Sequence, residues 1–179
     1  LTTSTAEVST TEGSGETPIT TVSSLPETTL GGATSTTVSD REPAPDFTLA
    51  LGDGGTFTLS ESDKPVYLVF WAEWCPTCRR ELPYVDQMAA EFGEEVDFVA
   101  PAWKGTEEAT AERATEFFRS GQIKWGLDAD EEIFDLYAVP YQPVTFLIAA
   151  DDTIVDSWPG VRGPEAIRTA IEGLISVSS

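Results

Sequence analysis

The 179-residue chain carries 31 acidic residues against 10 basic ones, for a net charge of −21, with 40 % hydrophobic residues, no histidine and two cysteines. The hydrophobic content suits one ordinary domain plus an appendage, while the charge repels nucleic acid and anionic lipid and argues against either as a partner. Without histidine, Ser-His and Cys-His catalysis, most catalytic zinc sites and histidine-ligated haem are out of reach, and two cysteines cannot complete a four-ligand zinc site.

Residues 1–40 are half Ser and Thr, contain Glu7, Glu12, Glu16, Glu27 and Asp40 but neither Lys nor Arg, and have no helical or strand periodicity. Such a stretch buries too little apolar area to offset the entropy of ordering, so residues 1–44 are expected to form a disordered tether, similar in composition to an O-glycosylated stalk. No run of 18 or more apolar residues exists, so membrane contact is expected only through an anchor ahead of Leu1.

The composition changes at Pro43-Ala44-Pro45, and residues 45–179 are expected to form the domain. Phe47-Thr48-Leu49 and Phe57-Thr58-Leu59 flank Gly52-Asp53-Gly54-Gly55, a strand-turn-strand signal. The apolar run from Val66 to Trp71 predicts a central strand covered on both faces. A helix from about Pro76 to Phe92 follows, interrupted by Pro83. Then come a strand over Val96–Ala100 and a helix from Thr106 to Ser120, opened by a Thr cap and early glutamates. A short acidic helix near Asp130–Tyr137 precedes a hairpin of Val144–Ala149 and Thr153–Trp158 around Asp151-Asp152. Pro164–Ile175 predicts the closing helix, with Pro at its start. The order gives an α/β fold with a mixed central sheet flanked by helices, the hairpin supplying the antiparallel part.

The chemistry points to Cys75 and Cys78, spaced C-x-x-C. A free cysteine, with a pKa of about 8.5, is mostly un-ionised near neutral pH. A strand running into Trp74-Cys75 ahead of a helix puts Cys75 at the helix N-terminus, where unpaired N–H groups and the macrodipole favour an anion. In such motifs the first thiol typically titrates at roughly 3.5–7.5. Cys78 lies one turn further in, less exposed, suited to resolve a mixed disulfide formed at Cys75. A purely structural disulfide would gain little, because a bond across two residues closes almost no loop.

Phe70-Trp71-Ala72-Glu73-Trp74-Cys75 resembles the active-site entry of bacterial thioredoxin, and Pro83, five residues after Cys78, resembles its helix proline. The closer resemblance is to the TlpA/ResA/DsbE (CcmG) group of extracytoplasmic thioredoxin-like proteins. Trp74-Cys75-Pro76-Thr77-Cys78-Arg79-Arg80-Glu81 looks like the DsbE pattern, Ala44-Pro45-Asp46-Phe47-Thr48-Leu49 is similar to the start of that group's domain, and Pro143-Val144-Thr145-Phe146-Leu147-Ile148 resembles its cis-proline segment. The likeness covers residues 44–177 and implies a thioredoxin fold with an N-terminal strand or hairpin extension.

By that resemblance Pro143 is the cis-proline facing the disulfide, and Gln142 presents its backbone polar groups to substrate. Trp74, Pro76 and Thr77 complete the expected substrate-binding set. Cytoplasmic thioredoxin has a buried aspartate six residues before its first active-site cysteine; here that position is Val69. Glu81, at i+3 from Cys78 on the same helical face, is the candidate proton carrier, and a glutamate at this place is associated with active-site function in the ResA-like group. The expected activity is exchange of disulfides with protein substrates and a redox-partner protein. It would be carried by Cys75, Cys78 and Glu81 in an extracytoplasmic monomer, with no metal and no cofactor besides the redox-active disulfide. Pro76-Thr77 resembles DsbE, which implies reduction in cytochrome c maturation; a disulfide-forming role stays open. Two alternatives are a peroxiredoxin-like peroxidase and a non-enzymatic tethered binding domain. The first shares the Ala-Pro-Asp-Phe-Thr-Leu entry but not its threonine ahead of the cysteine, where Ala72 stands three residues before Cys75.

Overall fold

The computed structural model describes residues 41–179; of the expected tether, residues 1–44, the first 40 lie outside the described residues, and the last few belong with the domain. Residues 42–44 run beside the late hairpin, with the Ala44 N–H donating to the Asp152 carbonyl and the Ile154 N–H to that of Glu42.

A two-stranded antiparallel hairpin comes first, β1 (Thr48–Ala50) with β2 (Thr56–Thr58), followed by a 3-10 turn at Leu59–Glu61. The main sheet contains β3 (Val66–Phe70), β4 (Asp97–Trp103), β5 (Ile123–Asp128), β6 (Val144–Ile148) and β7 (Ile154–Pro159), in the order β5-β4-β3-β6-β7. β3, β4 and β5 are parallel; β6 and β7 run antiparallel to their neighbours. The helices are α1 (Cys78–Phe92), α2 (Glu107–Phe117), α3 (Glu132–Leu136) and α4 (Pro164–Ser178). This is the expected α/β thioredoxin-type arrangement with its N-terminal hairpin extension.

Every residue of β3 is buried. Strand side chains alternate between faces, so Tyr67 and Val69 join one core, with Leu82 and Val85 of α1, Phe117 of α2 and Ile167 and Ile171 of α4. Val66, Leu68 and Phe70 join the other, with Phe47 and Phe57 of the hairpin region and Phe134 and Tyr137 of the α3 region. The continuous apolar run is thus a strand sandwiched between two cores.

Apart from shifts of up to three residues at the ends of α2, α3 and α4, three elements differ from expectation. β4 continues past Ala100 to Trp103, because Pro101, which has no N–H to give, still accepts at its carbonyl from the Trp71 N–H at 3.2 Å. β5 was not anticipated: Lys124 and Gly126 interrupt its apolar pattern. A Cβ at Gly126 would stand 1.9 Å from the Ala50 carbonyl oxygen, so glycine is what lets β1 lie against this strand. The first long helix opens at Cys78 rather than Pro76, leaving residues 75–77 as the turn that leads into it.

Candidate active site

β3 ends at Phe70, and the chain leaves the sheet through Trp71. Trp71 is fully buried, its indole N–H donating to the Ala100 carbonyl at 3.0 Å and its main chain bridged to β4 at Ala102. This anchors the start of the loop that carries the cysteines. The loop closes in short steps: the Cys75 N–H donates to the Ala72 carbonyl at 3.1 Å, and the Arg79 N–H to the Cys75 carbonyl at 3.3 Å.

Cys75 and Cys78 are joined as a disulfide, with Cα atoms 5.4 Å apart. The Cys78 N–H, first in the helix, points at Cys75 Sγ at 3.1 Å. A helix N-terminus offers donors with no intrahelical acceptor, and one of them here faces the first sulfur, where it would stabilise a thiolate. Cys75 is 3 % exposed and Cys78 wholly buried, so the two sulfurs differ in access less than their sequence positions suggest.

The Gln142-Pro143 bond is cis. It brings the Gln142 carbonyl oxygen to 4.0 Å from Cys75 Sγ, with Pro143 buried behind it. Trp74 stands 46 % exposed beside the disulfide, its indole N–H donating to the Lys104 carbonyl at 3.2 Å and its ring 6.5 Å from that of Trp103. Pro76 is exposed and Thr77 half-buried at the mouth of α1. Past Pro143, a shallow depression of about 190 Å³ is lined by Tyr137, Val139, Tyr141, Phe146 and Trp158. Trp74 and Tyr141 are thus two exposed aromatics, one next to Cys75 and one next to Gln142. A larger cleft of about 540 Å³, around Asp97 and Ile123, lies at the opposite end of the strands and holds no reactive pair.

Glu81 shows no exposed surface. One carboxyl oxygen accepts from the Arg162 main-chain N–H at 3.2 Å; the other has no hydrogen-bond partner. Burial pushes its pKa up to about 7, against the pull of that N–H and of the Arg162 charge. The Trp158 indole N–H also favours the ionised form, although it lies outside hydrogen-bond geometry. The hydroxyls of Tyr67 and Thr145 complete the buried polar group, both without hydrogen-bond partners. Burial and the Glu81 charge drive the Tyr67 phenol far above its ordinary range, which keeps it neutral. Strand pairing explains the cluster: Thr145 lies opposite Val69 on one side and Trp158 on the other. Val69 itself is apolar core, so the acid of this site enters from α1 rather than from β3.

The structure therefore brings together Trp74, Cys75, Pro76, Thr77, Cys78, Gln142 and Pro143, with Glu81 one helical turn behind Cys78. Sequence reasoning missed Arg162, Tyr67, Thr145 and Trp158, which no local motif marks as neighbours of Glu81. Among the described residues no group of three or more acidic or cysteine side chains could hold a metal ion, and no helix is long and apolar enough to cross a membrane.

Residues 39–171 match the redoxin family. The thiol-disulfide oxidoreductase ResA of Oceanobacillus iheyensis is 34 % identical over 119 residues, covering 63 % of this chain and 61 % of that protein, so the chain spans under two thirds of that relative's length. Among solved structures, Mycobacterium tuberculosis DsbF is 29 % identical with a TM-score of 0.66, over 72 % of this chain and 94 % of that one. A secreted M. tuberculosis disulfide oxidoreductase homologous to Escherichia coli DsbE is also 29 % identical, with a TM-score of 0.63, over 72 % and 96 %.

Proposed function

The chain belongs to the redoxin family, within its TlpA/ResA/DsbE group of thiol-disulfide oxidoreductases, and from that premise we propose that it exchanges disulfides with protein substrates outside the cytoplasm through Cys75 and Cys78. The observation that carries the reading is the helix-opening N–H of Cys78 aimed at Cys75 Sγ, with Gln142 and Pro143 beside that sulfur and an ionisable carboxyl, Glu81, behind the other.

In the reducing direction the Cys75 thiolate attacks one sulfur of a substrate disulfide. The substrate S–S bond breaks, a mixed disulfide with Cys75 forms, and the other substrate sulfur leaves and takes up a proton. Cys78 then gives its proton to the Glu81 carboxylate and attacks Cys75 Sγ. The Cys75–Cys78 disulfide forms, and the substrate's second sulfur departs as a thiolate. Two electrons pass to the substrate. The reverse sequence forms a disulfide in the substrate, and the pair's reduction potential against its partner decides which direction runs.

A group titrating near neutrality accepts and returns a proton with little cost either way, and burial gives Glu81 that property. Trp74, Pro76, Thr77 and the Gln142 carbonyl form the face a substrate chain meets. The redox-active disulfide is the sole cofactor, and the protein works as a monomer. The secreted M. tuberculosis relative supports the extracytoplasmic setting.

The test is trapping. Cys78→Ser should accumulate a mixed disulfide through Cys75 with a disulfide-bearing protein substrate, and limiting alkylation of the reduced protein should label Cys75 first. Preferential labelling of Cys78, or turnover of hydrogen peroxide with none of disulfides, would overturn the proposal.

A further inference from the structure

The segment between β7 and α4, Gly160-Val161-Arg162-Gly163, is fastened at two points of the site. The Gly160 N–H donates to the Pro143 carbonyl at 2.8 Å, and the Arg162 N–H donates to Glu81 at 3.2 Å, across 81 positions of sequence. Gly160 sits at φ +76°, a left-handed conformation that costs glycine nothing and that a side chain would strain. The Arg162 guanidinium lies 3.7 Å from the centre of the Trp158 ring and 3.3 Å from an Asp156 carboxylate oxygen.

Arg162 can be read as a surface ion pair with Asp156, and exposed pairs of this kind contribute about 0–1 kcal/mol. That reading leaves two contacts without a purpose. The guanidinium is stacked on the ring of Trp158, whose buried indole N–H acts on Glu81, and the same residue's main chain supplies the one hydrogen bond that the carboxyl receives.

The groups around the carboxyl can be enumerated by element. β3 presents the Tyr67 phenol, β6 the Thr145 hydroxyl, β7 the Trp158 indole with Asp156 further out, α4 the apolar Ile167 and Ile171, and α1 itself carries Cys78. Tyr67 is neutral and the others carry no positive charge, so Arg162 is the cation acting on Glu81 among the described residues.

We propose that Arg162 is a positioning residue for the exchange reaction: its main-chain N–H orients the Glu81 carboxyl, and its guanidinium, held over Trp158, supplies the positive charge that keeps that carboxyl able to ionise. This rests on the reading of Glu81 as proton carrier. Without the charge, only the main-chain N–H and the Trp158 indole oppose desolvation, Glu81 is protonated over more of the neutral range, and Cys78 has less base to receive its proton. Because Gly160 of the same segment is bonded to Pro143, the element that holds the proton carrier is also tied to the surface on which substrate is seated.

The experiment is a pH titration of the Glu81 side-chain carboxyl by carbon-13 NMR in the oxidised full-length protein, where no thiol titrates. Arg162→Met keeps the main-chain N–H and an unbranched stem over Trp158 but removes the charge, and it should raise the Glu81 midpoint by about one pH unit. Arg162→Lys restores a charge and should return most of that shift, an outcome that loss of packing alone would not produce. Arg162 is about one third exposed, so both variants are expected to fold, which their thermal unfolding checks. An unchanged midpoint in Arg162→Met, or a shift that Arg162→Lys fails to rescue, would overturn the proposal. The titration is read without any exchange reaction, so its outcome is separable from whether Glu81 carries the proton, which Glu81→Gln kinetics decides.

Discussion

Cys75 and Cys78 owe their arrangement to consecutive residues at the mouth of α1, whereas Glu81, one turn along the same helix, owes its environment to β3, β6, β7 and the segment before α4. The first region needs a strand end, a tight turn and a helix N-terminus, all local. The second needs a hydroxyl or indole from each of three strands and an N–H from 81 residues away, all supplied by the tertiary fold. The contrast suggests a division of labour. On the proposed mechanism, nucleophilicity is set by short-range backbone geometry, and proton handling by long-range burial.

The comparison breaks most sharply at the sulfurs. Cys75→Ser should abolish exchange, while Cys78→Ser should keep the first attack and lose turnover, accumulating mixed disulfide on non-reducing gels. The two variants should both unfold close to the parent with its disulfide reduced, because all three lack the cross-link and each variant differs from the reduced parent by one sulfur-to-oxygen exchange.

Glu81 comes next, through stability. Its pKa in the fold, about 7, lies above the ordinary 4.5. Between those values the folded state holds a proton that the unfolded state has released, so stability falls as pH rises from about 4.5 to 7 and then levels off. That difference corresponds to about 3 kcal/mol at most. Glu81→Gln removes the ionisation, and urea unfolding across pH 4.5–8 should show this downward slope in the parent and its loss in the variant.

A smaller effect is expected at Trp74, which touches the site from outside. With 46 % of its surface exposed and one hydrogen bond to Lys104, it packs little. Trp74→Ala should raise KM for a protein disulfide several-fold through lost aromatic contact, with kcat and thermal stability near the parent's. The smallest is removal of residues 1–40, whose composition offers no core; the melting transition and turnover of the shortened chain should match those of the full one.

The legible part of the molecule follows the same contrast. The C-x-x-C pair, the apolar run of β3, the Thr106 cap, whose side chain accepts from the Ala109 N–H, and the late hairpin are all written in short windows of sequence. β5 was not, because its pattern answers to a neighbour: Gly126 is there for the Ala50 carbonyl, and Lys124 reaches Asp97 on β4. Glu81 could be singled out by its i+3 spacing from Cys78, but the depth of its burial could not. Arg162 was illegible for the same reason, since Gly-Val-Arg-Gly-Pro reads as an ordinary turn ahead of a helix.

The most direct test of the account is single-turnover release of a preformed mixed disulfide at Cys75, followed against pH in the parent and in Glu81→Gln. If Glu81 receives the Cys78 proton, release in the parent should rise through a midpoint near pH 7, and the variant should be slower by about 10²-fold or more at neutral pH with that midpoint gone. Equal rates and the same pH profile in the two proteins would contradict the account and leave Glu81 a buried carboxyl with no part in the exchange.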